Sequence, residues 1–262
     1  MERVTVRDVY NFINEFAPFS TQDKFDNSGL LVGSMDMPAD RIGVCLDITT
    51  KIVEEAAGKG IQLIVSHHPV IFHKLSALEP SDPVAHLAKH GISAICAHTN
   101  VDIARGGISD IMLELLDLRG EAEVLEPVHS DGSGYGRIVE LDFAADAEGL
   151  AQRCRNAFGC RVVRYYDSGR PLKRIAVCSG AGGSEDNVAN AAKKGVDALI
   201  TGDVKHSGFM EAVNRGITVI DAGHFHTENI VCPQLAAELE KLGAEVCMLE
   251  NSVDVVQVVV RE

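Results

Sequence analysis

Short apolar runs, several of them apolar at successive positions, recur along the 262-residue chain and alternate with stretches of helical periodicity. A strand that is apolar on both faces must be covered on both, so this pattern calls for helices on either side of a sheet. The runs predict strands over Ile42–Ile48, Gln62–Ser66, Ser93–Ala97, Arg137–Leu141, Arg161–Tyr166, Arg174–Ser179, Ala198–Thr201, Thr218–Asp221 and Glu245–Leu249, and a last one over Val253–Val260. Helices are expected at Val6–Phe16, Lys51–Lys59, Pro83–His90, Ile108–Leu116, Ala147–Phe158, Asn187–Lys194, Ser207–Arg215 and Thr227–Lys241. Thr5 and Asp8 have the spacing of a capping box ahead of the first helix. The expected class is α/β.

The stretch Glu126–Gly136 gathers Pro127, Ser130, Asp131, Gly132, Ser133, Gly134 and Gly136. It reads either as a break between two α/β halves or as a loop beside a site. As a break, it separates an N-terminal domain, residues 1–127, from a C-terminal domain, residues 128–262.

Charge narrows the function classes. The 24 Lys and Arg against 38 Asp and Glu leave −14, which argues against general nucleic-acid binding. An anionic small molecule remains compatible if metal cations act locally. Seven cysteines, with no C-x-x-C pair and several in apolar runs, predict buried free thiols and a reducing compartment. The start has no apolar core of signal-peptide length, and no run approaches the ~18 residues of a membrane span. A cytoplasmic protein without membrane association is expected.

Three segments carry chemistry, each just after an expected strand, where sites in open α/β sheets gather. In Ser66-His67-His68-Pro69, adjacent imidazoles point to opposite sides and can reach two ions, with Pro69 stiffening the chain behind them. In His98-Thr99-Asn100-Val101-Asp102, Asp102 offers a hard oxygen ligand, while His98 and Asn100 can orient ligands or touch substrate. In Gly223-His224-Phe225-His226-Thr227-Glu228, His224 and Glu228 share one face of a starting helix, while His226 points elsewhere and is expected to orient a ligand or meet substrate. Any one segment fits a helix cap or a satisfied core histidine. Three strand ends all delivering imidazole or carboxylate fit that reading poorly. Nitrogen and oxygen donors without thiolate suit Zn, Mn, Fe(II) or Ni.

The segments Asp26-Asn27-Ser28-Gly29-Leu30-Leu31-Val32-Gly33, Ser66-His67-His68-Pro69, His98-Thr99-Asn100-Val101-Asp102, Thr201-Gly202-Asp203 and Gly223-His224-x-x-Thr227-Glu228 resemble the GTP cyclohydrolase I type 2 homologues, or NIF-three-like proteins, in order and spacing across nearly the whole chain. The resemblance implies two α/β domains with mixed sheets covered by helices. It also implies a dinuclear metal centre in the interdomain cleft, held by His67, His68, Asp102, His224 and Glu228. Some members carry an extra middle domain, and this chain looks like the short form. The resemblance further implies a homohexameric ring and a small-molecule substrate, with GTP the named candidate.

Other residues carry weaker signals. Asp26 and Asn27 lie in a turn and are candidates to line the site by resemblance. The Asp131–Arg137 loop, with Gly134 and Arg137, is either an anion cradle or a bare turn. Asp203 either orients a histidine or caps a helix. The glycines of Cys178-Ser179-Gly180-Ala181-Gly182-Gly183 match a tight turn better than a phosphate loop. His73, His86, His90 and His129 carry no pattern.

Two functions remain in view. One is an enzyme whose metal-activated water attacks a small phosphorylated or nucleotide substrate. The other is a non-catalytic metal-handling or scaffold protein, for which the same five ligands serve.

Overall fold

The computed structural model describes residues 3–259, which form two compact units: residues 3–104 with 231–253, and residues 105–230 with 254–259.

In the first unit, α1 (Val6–Phe16) begins with the expected capping box, Thr5 and Asp8 bonding each other's backbone. There follow β1 (Gly29–Val32), β2 (Arg41–Cys45), α2 (Thr50–Gly58), β3 (Leu63–Ser66), α3 (Pro83–His90), β4 (Ser93–Cys96) and the short α4 (Thr99–Ile103). In the second unit come α5 (Ile108–Leu115), β5 (Glu123–Pro127), β6 (Gly134–Ala145), α6 (Ala147–Ala157), β7 (Arg164–Tyr166), β8 (Leu172–Val177), α7 (Glu185–Lys193), β9 (Ala198–Thr201), α8 (His206–Arg215), β10 (Thr218–Asp221) and α9 (His224–Glu228). The chain then returns to the first unit with α10 (Val231–Leu239) and β11 (Glu245–Met248).

Among the described residues the first unit's sheet has the order β1-β4-β3-β2-β11, and the second's β5-β6-β8-β9-β10-β7. Both are mixed. β11, β2, β3 and β4 run parallel with an antiparallel β1 at the edge. β8, β9 and β10 run parallel, flanked by antiparallel β6 and β7. The parallel strands β3, β4, β9 and β10 are buried at every position, as their unbroken apolar runs require. Ile52, Ile64 and Leu87 anchor one core and Ile138, Val188 and Leu199 the other, each such side chain contributing about 1.5–3 kcal/mol of burial.

Three expectations are corrected. The break at 127/128 is the turn of a hairpin, because β5 and β6 pair antiparallel within one sheet. A Cβ on Gly134 would lie 2.0 Å from the Glu126 carbonyl oxygen, so this glycine lets the strands close. The helix expected over Thr227–Lys241 is interrupted at residues 229–230. Pro233 has no N–H for the carbonyl four residues back, so the helix stops and restarts with Pro233 in its first turn. Residues 253–259 form no strand, and Val260 lies outside the described residues. Finally, β1, β5 and α4 were not anticipated, being short and set among turn-rich residues.

All seven cysteines are free, five of them buried. Burial pushes the Cys154 thiol up to about 12 and that of Cys160 to about 11. Among the described residues no helix is long and apolar enough to cross a membrane.

Candidate metal centre

The first unit gathers three imidazoles. β3 ends at Ser66, whose hydroxyl donates to the His68 carbonyl at 2.8 Å and fixes the His67-His68 turn. His67 is fully buried, with Nδ1 2.9 Å from the Ala97 carbonyl oxygen at the end of β4. A carbonyl only accepts, so Nδ1 carries the proton and Nε2 is the atom the ring could offer to a metal. His68 Nδ1 lies 2.8 Å from Asp47 Oδ1, and His98 Nδ1 lies 2.8 Å from Asp26 Oδ1. His67, His68 and His98 each offer a ligand atom within 4.8 Å of the others.

Asp102 lies on α4, directly after β4, and its Oδ1 is 3.8 Å from His67 Nε2. That is too long for a hydrogen bond.

His98 is thus brought into the cluster, and Asp26 is the side chain that holds it. Asp26 also accepts from the Thr99 hydroxyl at 2.5 Å, the Thr99 backbone N–H at 3.1 Å and the Ser28 hydroxyl at 2.7 Å. Burial alone would raise this carboxyl, but the hydrogen bonds from His98, Thr99 and Ser28 outweigh it and hold Asp26 well below the usual carboxylate range. Asn27 donates to the Ile71 carbonyl at 2.6 Å and ties the turn to the loop after the His pair. Asn100 is buried and donates to the Ala17 carbonyl at 2.7 Å, which makes it a brace between α4 and the end of α1.

In the second unit, α9 sets His224 and Glu228 four apart, with Nε2 and Oε2 at 2.8 Å. His224 Nδ1 lies 2.8 Å from Asp203 Oδ2. Asp203 adopts φ +54, a conformation that Asp tolerates better than most residues, and it stands two residues past the end of β9. The hydrogen bond to Glu228, against burial and aided by the charges of Glu228 and Asp203, raises the His224 pKa to about 9. Thr227 accepts from the Gly180 N–H at 2.9 Å and donates back to the Gly223 carbonyl at 2.9 Å, which locks α9 onto the turn after β8.

Other candidates have different partners. Arg137 is 4% exposed and grips Asp110 through Nε and Nη2 at 2.8 and 2.9 Å, while Nη1 donates to the Gly134 and Gly136 carbonyls. Its guanidinium is built into the β6 hairpin. His226 turns to the Phe158 carbonyl and to Asp254 Oδ2, both at 3.3 Å. Sequence reasoning missed Asp47, which had no signal beyond its position after β2, and Gly180, whose role is set by Glu228 across the fold.

Two mixed sheets covered by helices, with imidazole and carboxylate side chains near the strand ends that could hold a metal ion, define the class as α/β with a candidate metal site. The chain belongs to the Duf34/NIF3 (NGG1p interacting factor 3) family, whose model matches residues 4–255. A Clostridium acetobutylicum protein named GTP cyclohydrolase 1 type 2 homolog is 32% identical, over 95% of this chain and 97% of that one. The Schizosaccharomyces pombe Protein NIF3 homolog is 31% identical, over 88% and 89%. The crystal structure of Staphylococcus aureus hypothetical protein SA1388 superposes with a TM-score of 0.89 at 24% identity, over 98% of this chain and 100% of that one. The Bacillus cereus protein related to NIF3 gives 0.87 at 18%, over 99% and 100%. These two likenesses speak for the fold.

Proposed function

We propose that this chain is a dinuclear metal-dependent, hydrolase-like protein resembling GTP cyclohydrolase 1 type 2, with His67, His68, Asp102, His224 and Glu228 as the residues that would hold two divalent ions. The observation that carries the reading is the posture of the imidazoles. His67, His68 and His224, the three histidines of that set, each have Nδ1 2.8–2.9 Å from a carbonyl or carboxylate oxygen. Rings fixed in this way present Nε2, and the oxygen behind strengthens the donor, as metal-ligating histidines require.

The donors fit Zn, Fe, Mn or Ni, and such ions would supply Lewis acidity and water of pKa near ~7. Asp102 and Glu228 supply the negative charge that offsets the ions. Asp26, Asp47 and Asp203 hold His98, His68 and His224 in place. The substrate in this reading is a small phosphorylated molecule, with GTP the candidate that the relatives' names suggest. A hexameric ring and a cytoplasmic location belong to the same reading. The family resemblance supports the ring, and the free cysteines support a reducing compartment.

The test is elemental analysis of protein purified without a metal-binding tag, beside an Asp102→Ala, Glu228→Ala double variant. About two ions per chain, lost in the variant, is the expected result. No metal in the wild type, even after incubation with Zn, Mn and Fe(II), overturns the reading. Bound ions without turnover of GTP or other phosphorylated small molecules turn it toward metal handling.

A further inference from the structure

Two large aromatic side chains stand exposed beside the first unit's imidazoles. Phe25 is 60% and Phe72 40% exposed. Their ring centroids are 6.3 Å apart with planes tilted by 37°. Phe72 lies 6.4 Å from the His98 ring and 4.9 Å, edge-on, from His73.

Both are anchored to the ligand-bearing turns. Phe25 directly precedes Asp26, which holds His98. Phe72 follows Ile71, whose carbonyl accepts from the Asn27 side chain at 2.6 Å. One hydrogen bond thus ties the two aromatic segments together, so the pair is organised before anything binds. A core does not explain the pair, since neither ring is buried. A purine-sized ring does, because stacking on exposed aromatic faces is the general way a flat base is held without reading its edges. The chain's charge of −14 points the same way. With little long-range attraction for a polyanion, the ring of a nucleotide becomes a main source of affinity beyond the ions.

We infer that Phe25 and Phe72 form the stacking surface for a planar fused heteroaromatic ring, of the purine type, in the substrate of the metal centre. The inference rests on the metal-centre reading and names the side chains that would hold the ring of its substrate.

The chain contains no Trp, so Phe72→Trp places a single reporter on the surface. The metal-loaded variant is titrated with guanosine, adenosine and GTP, and with ribose 5-phosphate as a ring-free control, with ion content measured on the same sample. Saturable quenching by the purines but not by ribose 5-phosphate is expected. Adding Phe25→Leu should raise the apparent Kd about tenfold, and Phe25→Tyr should restore it. No saturable quenching by either nucleoside overturns the inference. So does wild-type GTP affinity in a Phe25→Leu, Phe72→Leu variant that keeps its ions. If that variant instead loses self-association in sedimentation while its GTP affinity is unchanged, the surface belongs to contacts between copies and the inference fails. Purine stacking in protein that takes up no metal would leave this surface standing and overturn the metal centre alone.

Discussion

A Cβ built on Gly180 would lie 1.8 Å from Oε1 of Glu228, so the turn after β8 leaves room for that carboxylate only because residue 180 has no side chain. Gly180 also adopts φ +59, which a side chain strains. Gly180→Ala should displace Glu228 and weaken metal binding by about 10–100-fold, the range for residues that hold ligands in place. Competition with a chelating dye measures this. Unchanged affinity in a folded variant would show that Glu228 moves aside without loss.

Asp26→Asn removes the charge that orients His98 and breaks part of a four-bond network. Asp26 also bonds Thr99 at the start of α4, the helix that carries Asp102, so metal affinity should fall by about tenfold or more. The acid limb of stability should change too. The folded carboxyl is held below its unfolded value of 3.8, so its contribution is present above that pH and is lost as pH falls. Wild type should therefore lose stability below pH 4 more steeply than the variant, which thermal melts between pH 2.5 and 6 would show.

His224 gives the opposite sign. Its folded pKa of about 9 exceeds the unfolded 6.5, so chelator-treated protein gains most from this group below pH 6.5 and loses the gain as pH rises through 9. The side chain is 33% exposed, so screening limits the effect to about a few degrees in Tm between pH 6 and 9.5. His224→Gln should flatten that slope. Metal loading near pH 7 should release a proton, and isothermal titration in buffers of different ionisation enthalpy detects it.

Arg137→Met removes the guanidinium bonds to Asp110, which keeps the Gly106 N–H, and to two hairpin carbonyls. It should cost about 1–3 kcal/mol of stability while ion content stays as in wild type. Denaturant unfolding together with elemental analysis separates this bracing role from a substrate contact. Wild-type stability with weakened GTP binding would restore the anion-cradle reading.

Much of the scaffold was legible because its signals are local. Val6–Phe16 and Pro83–His90 have the expected helix bounds, and Ala198–Thr201 and Thr218–Asp221 the expected strand bounds. Capping residues, Pro at a helix start and unbroken apolar runs act within a few residues of where they sit. The same holds for His67-His68 and for His224 with Glu228, whose spacing at strand ends and along one helix turn is written in the chain. Signals that need a distant partner were not legible. The valines of residues 253–259 have strand propensity, yet a strand exists only where a ladder accepts it.

The sequence by itself determined the alternation of strands and helices, and the imidazoles and carboxylates that follow the strands. Periodicity and residue chemistry belong to the chain and need no long-range contact. Only the tertiary structure decided which carboxylate stands behind which imidazole: Asp47 behind His68, Asp26 behind His98, Asp203 behind His224. It also decided that Gly180 clears space for Glu228, and that Arg137 is spent on Asp110. Each of these is a meeting of residues 21 to 72 positions apart. The packing of the sheets sets such meetings, and no local pattern in the chain encodes them.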